Sequence, residues 1–434
     1  VRWWQRLGDP ELDALIEEGI AHNLDVAAAK ARIREARASY RQTIGGLLPD
    51  AGSSAGMSRS GAGSRRYTTS YSAGLSAGWE VDLFGANKRA LEAAGYGLDS
   101  AAEELRATQI ALIGDIAATY VTLRGHQARL AFTRRTIASQ AETAALTRRQ
   151  LEAGSATSLD ALRATTLVDS TEASLPGLEA AYAETVHRLS VLTGRVPEAL
   201  IGRFQKARPI PQPATLPPTG IPAEVLNARP DVRIAERQYA SSTARIGQAE
   251  AARYPRISLT GGISTAGLSI SDLAKASSIG WSFGPSLSVP IFQGGQLAAA
   301  VDAAEAGRDQ SFLNYHATVL EALEDVENAI IALSVERQTM RKLTTVAQTS
   351  REALRISREL YTSGASNFLN VLDAERSTFS AETSLIDSRV GIATSYIALM
   401  RALGGGWDGE VDTDTPVVVD SGTGPHFWRP DRGA

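Results

Sequence analysis

Cysteine is absent from all 434 residues, which removes disulfide frameworks, thiolate metal sites and cysteine nucleophiles together. A basic excess is missing too. The 44 Lys and Arg stand against 48 Asp and Glu, a formal net charge of -4, and the two signs are interspersed. Neutralising a phosphate backbone takes a positive patch, so no nucleic-acid partner is expected. No run approaches the roughly 20 apolar residues of a spanning helix. Val1-Arg2-Trp3-Trp4 lacks the charged and apolar regions of a signal peptide, so the sequence reads as a mature or trimmed chain. The histidines His22, His126, His187, His316 and His426 show no metal-ligand spacing. Neither a phosphate-cradling glycine loop nor a serine elbow occurs. No cofactor and no catalytic activity are expected.

What is present is a design written twice. Asn23-Leu24-Asp25-Val26, an alanine-rich run and Pro49 recur as Arg229-Pro230-Asp231-Val232, a similar run and Pro255, about 206 positions later. Leu83-Phe84-Gly85 recurs as Ile291-Phe292-Gln293-Gly294. Leu151 to Gly154 followed by Leu159-Asp160-Ala161-Leu162 recurs as Tyr361 to Gly364 followed by Leu369-Asn370-Val371-Leu372, about 210 apart, as does Leu192-Thr193-Gly194 in Ala402-Leu403-Gly404. Between the halves, Pro197, Pro209, Pro211, Pro213, Pro217, Pro218 and Pro222 exclude helix or inner strand and predict an extended surface connector. Asp9-Pro10 ahead of Leu12, Leu15, Ile16 and Ile20 predicts a short capped helix.

Proline is also missing from Asn87 to Glu152, enough for on the order of 100 Å of helix. Gln296 to Thr362 matches it. Ile116, Tyr120, Leu123, Gln127 and Leu130, and again Val319, Leu323, Val326, Ile330 and Leu333, alternate steps of four and three, a heptad seam. Return helices are predicted over Ser158 to Thr193 and Asn367 to Leu403, the second with Ile392, Tyr396, Leu399 and Leu403 on one seam. The product is two antiparallel helical hairpins. The acidic cluster Glu321, Glu324, Asp325 and Glu327 spreads around its helix and reads as a solvated face.

Helices alone are compatible with a soluble coiled-coil scaffold. The intervening segments are not. Tyr71, Ala73, Leu75, Ala77, Trp79, Val81 and Leu83 alternate with Ser, Gly, Glu and Asp, and Ile279, Trp281, Phe283, Pro285, Leu287, Val289 and Ile291 repeat the pattern. Shorter partners are predicted around Ala51, Ala55 and Met57 and around Ile257, Leu259 and Ile263, with turns near Ser60 to Gly63 and Thr265 to Gly267. Strands with one apolar and one small polar face have the chemistry of a transmembrane barrel. Trp79, Phe84, Trp281 and Phe292 are expected as a membrane-interface belt at the strand ends that lead into the long helices. Four strands cannot close alone, and an open edge is forbidden in lipid. Two chains would give eight strands and a filled interior; three give twelve and an aqueous lumen.

These residues resemble the TolC family of outer-membrane factors. The likeness is carried by Trp3-Trp4 with Leu7-Gly8-Asp9-Pro10-Glu11-Leu12, Asn23-Leu24-Asp25-Val26, Leu48-Pro49, Trp79-Glu80-Val81-Asp82-Leu83-Phe84-Gly85 and Ala228-Arg229-Pro230-Asp231-Val232. It is nearest the lipoprotein branch that serves resistance-nodulation-division multidrug pumps. The resemblance implies a mixed α and β membrane protein: a homotrimer with a twelve-stranded β-barrel in the outer-membrane lipid and a long periplasmic α-helical barrel. It implies an exit duct of a tripartite efflux system in a Gram-negative bacterium, partnered by a periplasmic adaptor protein and an inner-membrane transporter. A type I protein secretion duct of the same fold is the alternative. That branch begins with a lipidated cysteine, so with none here either the N-terminus is trimmed or the anchor is absent.

On this pattern residues 1–47 form an N-terminal equatorial segment with the first periplasmic helix, 48–86 the first barrel hairpin and 87–194 the first long helical hairpin. Residues 195–229 are the equatorial connector, 230–253 the helix of the second repeat, 254–294 the second barrel hairpin, 295–404 the second helical hairpin with its periplasmic tip, and 405–434 a tail. Leu369 and Asp373 are four apart on one helix face, and around a threefold axis would make a ring of leucines and a ring of carboxylates. The family's tip motif carries such a gate, and Gly364, Leu369, Leu372, Asp373 and Ala374 match it. Arg376 is placed to share the charge of Asp373. Tyr361 and Asp160 match positions that in relatives tie the two hairpins together, with Gly154 and Gly364 at the turns; a basic tip residue that assists this lock in some relatives is Ser366 here.

Overall fold

The structure, a computed structural model, describes residues 2–61, 63, 67–213, 229–406 and 412–414. Expectations for Pro217, Pro218, Pro222 and most of the 405–434 tail lie outside the described residues. In chain order come a 3-10 turn (Trp3–Leu7), α1 (Pro10–His22), α2 (Leu24–Gly45), β1 (Asp50–Gly61), β2 (Tyr67–Val81), α3 (Ala86–Glu152), α4 (Ser158–Glu172) and α5 (Leu175–Leu192). The second half brings α6 (Pro230–Ala251), β3 (Arg256–Gly267), β4 (Ile279–Ser288), α7 (Gln296–Thr362) and α8 (Phe368–Ala402). α3 and α7 each run 67 residues without a break. No described helix is long and apolar enough to cross a membrane.

The chain divides into two units. Residues 1–29, 105–230 and 319–412 form the first. Within it α3 and α8 run antiparallel and very close. A Cβ on Gly125 would lie 2.5 Å from Val390 Cγ2, Arg129 pairs with Asp387, and the rings of Phe132 and Phe379 stack at 5.5 Å. Ile116, Tyr120, Leu123, Gln127 and Leu130 are all buried, so the heptad seam of α3 is a packing seam. On α7 the buried line is Ala322, Val326, Ala329 and Leu333, one step round from the expected one.

The ends of this unit are pinned by polar bonds. Asp9 caps α1 by accepting from Glu11 N at 3.0 Å, with Pro10 in the first turn. Asn23 Nδ2 donates to Leu192 O at the end of α5, and Arg229 Nη1 donates to Ala402 O at the end of α8, both just ahead of a helix start. The two repeats thus tie off orphan C-terminal carbonyls at matching places with different side chains. Arg229 also pairs with Asp325, which anchors it from an acidic cluster whose four members are all exposed, as a solvated face requires.

Two expectations about the first repeat need correction. The return helix from Ser158 to Thr193 is broken at Ala173 and Ser174 into α4 and α5, because Pro176 lacks an N–H and its ring would collide with the carbonyl one turn back. The second repeat has no proline there, and α8 runs 35 residues unbroken. The connector does not simply run over the surface: it holds short turns at Pro197–Leu200 and Gly202–Phe204, and Leu200 and Phe204 are buried.

Phe204 seals a buried guanidinium. Arg124, 1% exposed, lies over the rings of Tyr120 and Phe204 and donates to Gln127 Oε1 at 2.7 Å and Tyr120 Oη at 2.8 Å. Tyr120 Oη donates in turn to Asp9 Oδ2 at 2.5 Å. Burial first, then the bond to Asp9, hold the Tyr120 phenol far above its usual range.

Residues 30–104, 231–318 and 413–434 form the second unit. Its sheet has the order β1-β2-β3-β4, all antiparallel. The register is in phase across all four strands: Ser53, Leu75, Ile263 and Trp281 form one row, and Ala51, Ala77, Gly261 and Phe283 another. The opposite face carries Ser and Gly, with hydroxyl pairs Ser58–Ser70 at 2.8 Å and Ser258–Ser286 at 2.7 Å. Helices α2, α3, α6 and α7 enter this unit bonded by Ser241 Oγ to Ala93 O and by Ser242 to Ser311, with Tyr239 against Phe312.

The partner strands are longer than their weak patterns suggest, 12 residues each for β1 and β3, because pairing and not local propensity sets their length. Thr265, Ala266 and Gly267 lie inside β3, not in a turn. The link to β4 instead contains short turns at Ile270–Ala274 and Ala276–Ser278, capped by Ser269 and Asp272, whose carboxyl Lys275 holds down at about 2.

Replacing Arg124 with alanine takes a donor from Gln127 Oε1 and from Tyr120 Oη in a dry site and empties the space between Tyr120 and Phe204, and should cost about 3 kcal/mol. A thermal unfolding midpoint lowered by several degrees in detergent is the expected reading, and an unchanged midpoint contradicts it.

Candidate functional site: a barrel sheet and a helical tip

The sheet's apolar face is bare. Trp281 is 79% exposed and Phe283 73%, with Leu75, Ile263 and Leu287 also exposed. No second layer covers it among the described residues, which excludes a soluble sandwich, whose inner face would be packed. Rows of large apolar side chains on one side and serine and glycine on the other are the two surfaces of a membrane barrel wall.

The four expected belt aromatics do not form one belt. Trp79 pairs in register with Leu259 near the helix end of the sheet, and its Nε1 donates to Leu47 O at 3.0 Å. Phe84 stacks on Tyr254 at 4.8 Å, just beyond the same end. Phe292, 85% exposed, follows β4 on that side. Trp281 is the exception. It is the third residue of β4, beside Ile263, and lies toward the far end where the β3–β4 link crosses. Position along the strand decides this: β2 and β4 both run toward their long helices, but Trp79 stands near the end of β2, whereas Trp281 stands at the beginning of β4. Tyr254 was missed because it precedes β3 outside any alternating run; its place just before Pro255, where the first repeat has Leu48 before Pro49, is the signal that would have found it.

At the other end of the helices, Gly154 and Gly364 hold φ of 76° and 75° and turn each hairpin. Gly85 and Gly194 have matching left-handed partners in Gly295 and Gly404, so the repeat persists in backbone conformation. Leu369 and Asp373 are exposed one turn apart on α8. Arg376 is exposed as well, but no ion pair joins it to Asp373 among the described residues. At three residues' spacing both side chains gain more from water than from each other.

Tyr361 and Asp160 are not brought together. Asp160 is spent locally in a capping box with Thr157, whose Oγ1 donates to it at 2.6 Å. Tyr361 is buried, edge-on to Phe368 at 5.6 Å, and its Oη donates to Thr147 Oγ1 at 3.2 Å. Tyr361 therefore does bridge the hairpins, to α3 and not to α4. Ala164, Phe368, Val371 and Leu372 complete an apolar cluster around it.

A model of the outer membrane efflux protein family matches residues 15–195 and 221–405. The chain belongs to the outer membrane efflux protein family. It is 37% identical to nodulation protein T of Rhizobium leguminosarum bv. trifolii, over 94% of this chain and 88% of that one. It is 34% identical to outer membrane protein OprJ of Pseudomonas aeruginosa, over 94% and 86%. Among solved structures it is similar to the outer-membrane channel OprN (TM-score 0.87, 34% identity, 93% and 92% covered) and to CusC (TM-score 0.86, 31% identity, 94% and 95% covered). This outer membrane efflux protein is thus an exit duct of the Gram-negative outer membrane, with its helical part in the periplasm. The family is one of channels and not of enzymes.

Thr157→Ala should remove the capping box and destabilise the start of α4 by about 1 kcal/mol. Hydrogen exchange should speed up selectively in the first turn of α4; unchanged protection there would show that the cap contributes nothing.

Proposed function

We propose that three copies of this chain share one twelve-stranded barrel and carry small molecules outward from an inner-membrane pump of the resistance-nodulation-division type, reached through a periplasmic adaptor. The observation that carries the reading is the in-phase register of four strands whose outer members, β1 and β4, have no further strand beside them among the described residues. In lipid their free N–H and C=O groups require a neighbouring copy. Three copies leave a lumen lined by serine and glycine; two fill it.

A second observation supports copies side by side. On α7, Leu320, Ile331, Val335, Val346, Ile356 and Leu360 are exposed. A row of aliphatic side chains along a helix in water is a packing surface left open in the single chain. Transport needs no catalysis, and a conduit lined by hydroxyls and backbone suits it. Relatives carry names of different cargoes, toluene for TtgI of Pseudomonas putida and cations for CusC of Escherichia coli. A duct of this kind leaves selection to the pump, so the cargo here is whatever small molecule its own pump selects.

At the periplasmic mouth, Leu369 and Asp373 form stacked rings of leucine and carboxylate around the threefold axis. Because Arg376 does not neutralise Asp373, each ring carries its own barrier, and the effects of removing them should add.

Chemical crosslinking of purified protein should stop at the trimer, and planar bilayers should show a largely closed conductance. Asp373→Ala should raise it, and Asp373→Ala with Leu369→Ala should raise it by the sum of the single effects. A monomer that never conducts would remove the duct reading; unchanged conductance in the double variant would remove the gate.

A further inference from the structure

The sheet's apolar face carries a single charge, and it stands at the rim farthest from the helices. In the pairing register Arg59 shares a side of the sheet with Met57, Tyr71, Leu75 and Ile263, and no other described strand residue of that side is ionised. β1 follows α2 and β2 leads into α3, so the end near Gly61 and Tyr67 points away from the helices. From Trp79, near the helix end, to Thr69, the register partner of Arg59, is ten residues. At about 3.4 Å each and a tilt of about 40°, that is about 26 Å of height, the full apolar band of a membrane barrel. Arg59 is exposed, and its guanidinium lies 4.7 Å from the ring centre of Tyr67, the next side chain toward the turn. The stack holds the charge out of the hydrocarbon and at the level of headgroups. Lys275, in the β3–β4 link at the same end, is taken by Asp272 at 2.6 Å, whereas no carboxylate pairs with Arg59 among the described residues.

Two rows further in, the same face is hollow. Ser53 and Ala73 are too small to fill the space beside Leu75, Ile263 and Ile279, and a groove of about 410 Å³ lies there. Leu273 of the β3–β4 link closes its outer end, held by Thr265 Oγ1 donating to Leu273 O at 3.0 Å. Past Leu75 and Ile263 the hollow continues toward the helices as a groove of about 550 Å³ over Ala51, Ala77 and Gly261. A slot lined by aliphatic side chains and small residues fits a hydrocarbon chain, and the cation above its mouth fits an anionic headgroup.

We propose that this rim and groove seat one phosphorylated glycolipid of the outer leaflet per copy of the chain, its phosphate on Arg59 and an acyl chain along Ala73 and Ala77. The inference rests on the reading of the sheet as a barrel wall in lipid. Charge decides the leaflet: a phosphate at the outer rim meets Arg59, whereas at the helix end the strands' apolar face offers Trp79 and no cation. Guanidinium suits the anion because its planar fork takes two phosphate oxygens at once.

The test is native mass spectrometry of the assembled protein, extracted from outer membranes in a mild detergent. Phosphorylated glycolipid should stay bound through purification; phosphatidylglycerol retained in its place overturns the assignment to the outer leaflet. After delipidation, added lipid A should rebind and dephosphorylated lipid A should bind about five-fold more weakly. Equal binding of the two overturns phosphate recognition, and so does displacement of lipid A by inorganic phosphate alone, which would make the rim a site for a free anion. Arg59→Gln should weaken lipid A by about five-fold, Arg59→Lys should recover most of that loss, and Ala73→Phe should weaken binding with the charge intact by filling the groove. Conductance of all three variants in planar bilayers should match the parent. Should Arg59→Gln fail to assemble, Arg59→Lys must both assemble and bind, and its failure to do so overturns the site. An assembled parent that conducts and holds no lipid A overturns the lipid site and leaves the duct intact. A chain that never assembles overturns the barrel, and the site with it.

Discussion

A backbone N–H or C=O in hydrocarbon has no water to bond, and in this chain that constraint falls on β1 and β4. The sheet they bound is bare on its apolar side and small and hydroxylated on the other, and among the described residues no covering layer or further strand relieves the edges. Everything else is arranged around that need. The long helices leave the sheet at Phe84 and Phe292, and the sheet is kept in register by residues too small to fill a closed interior, which is why a lumen and not a core follows.

The internal repeat is strongest where geometry is least forgiving. Left-handed glycines recur at the helix entries, the tip turns and the helix ends, because an L side chain is strained at each of those φ values. Where several side chains can do the same job, the halves have diverged. Asn23 and Arg229 both tie off a helix end, one with a neutral amide and the other with a guanidinium that also takes in Asp325. Pro176 breaks one return helix and spares the other. The first hairpin is segmented and the second stiff.

Much of the fold was legible because it rests on periodicity. Helix lengths followed from the absence of proline, the strand faces from period two, and the seam of α3 from steps of three and four. The apolar clusters at the tip and the buried Arg124 were less so. Arg124 looks like any helix-surface arginine until Phe204, some eighty positions on, closes over it. The connector that supplies Phe204 was read from its prolines as surface chain, since composition reports what a segment cannot form and not what it covers.

The site divides along the same line. Gly154 and Gly364 were legible as turns, and Leu369 and Asp373 as neighbours on one exposed helix face, because those placements depend on residues within one helical turn. Tyr361 was found with the wrong partner, and Arg59 was not singled out at all. Sequence by itself determined the alternation that makes a wall of the sheet, the length of the helices and the position of the turns, since each depends on a few consecutive residues. Only the tertiary structure decided which end of the sheet Trp281 occupies and which helix Tyr361 meets. Those answers depend on where pairing starts β4 and on side chains hundreds of positions apart, and no local pattern encodes them.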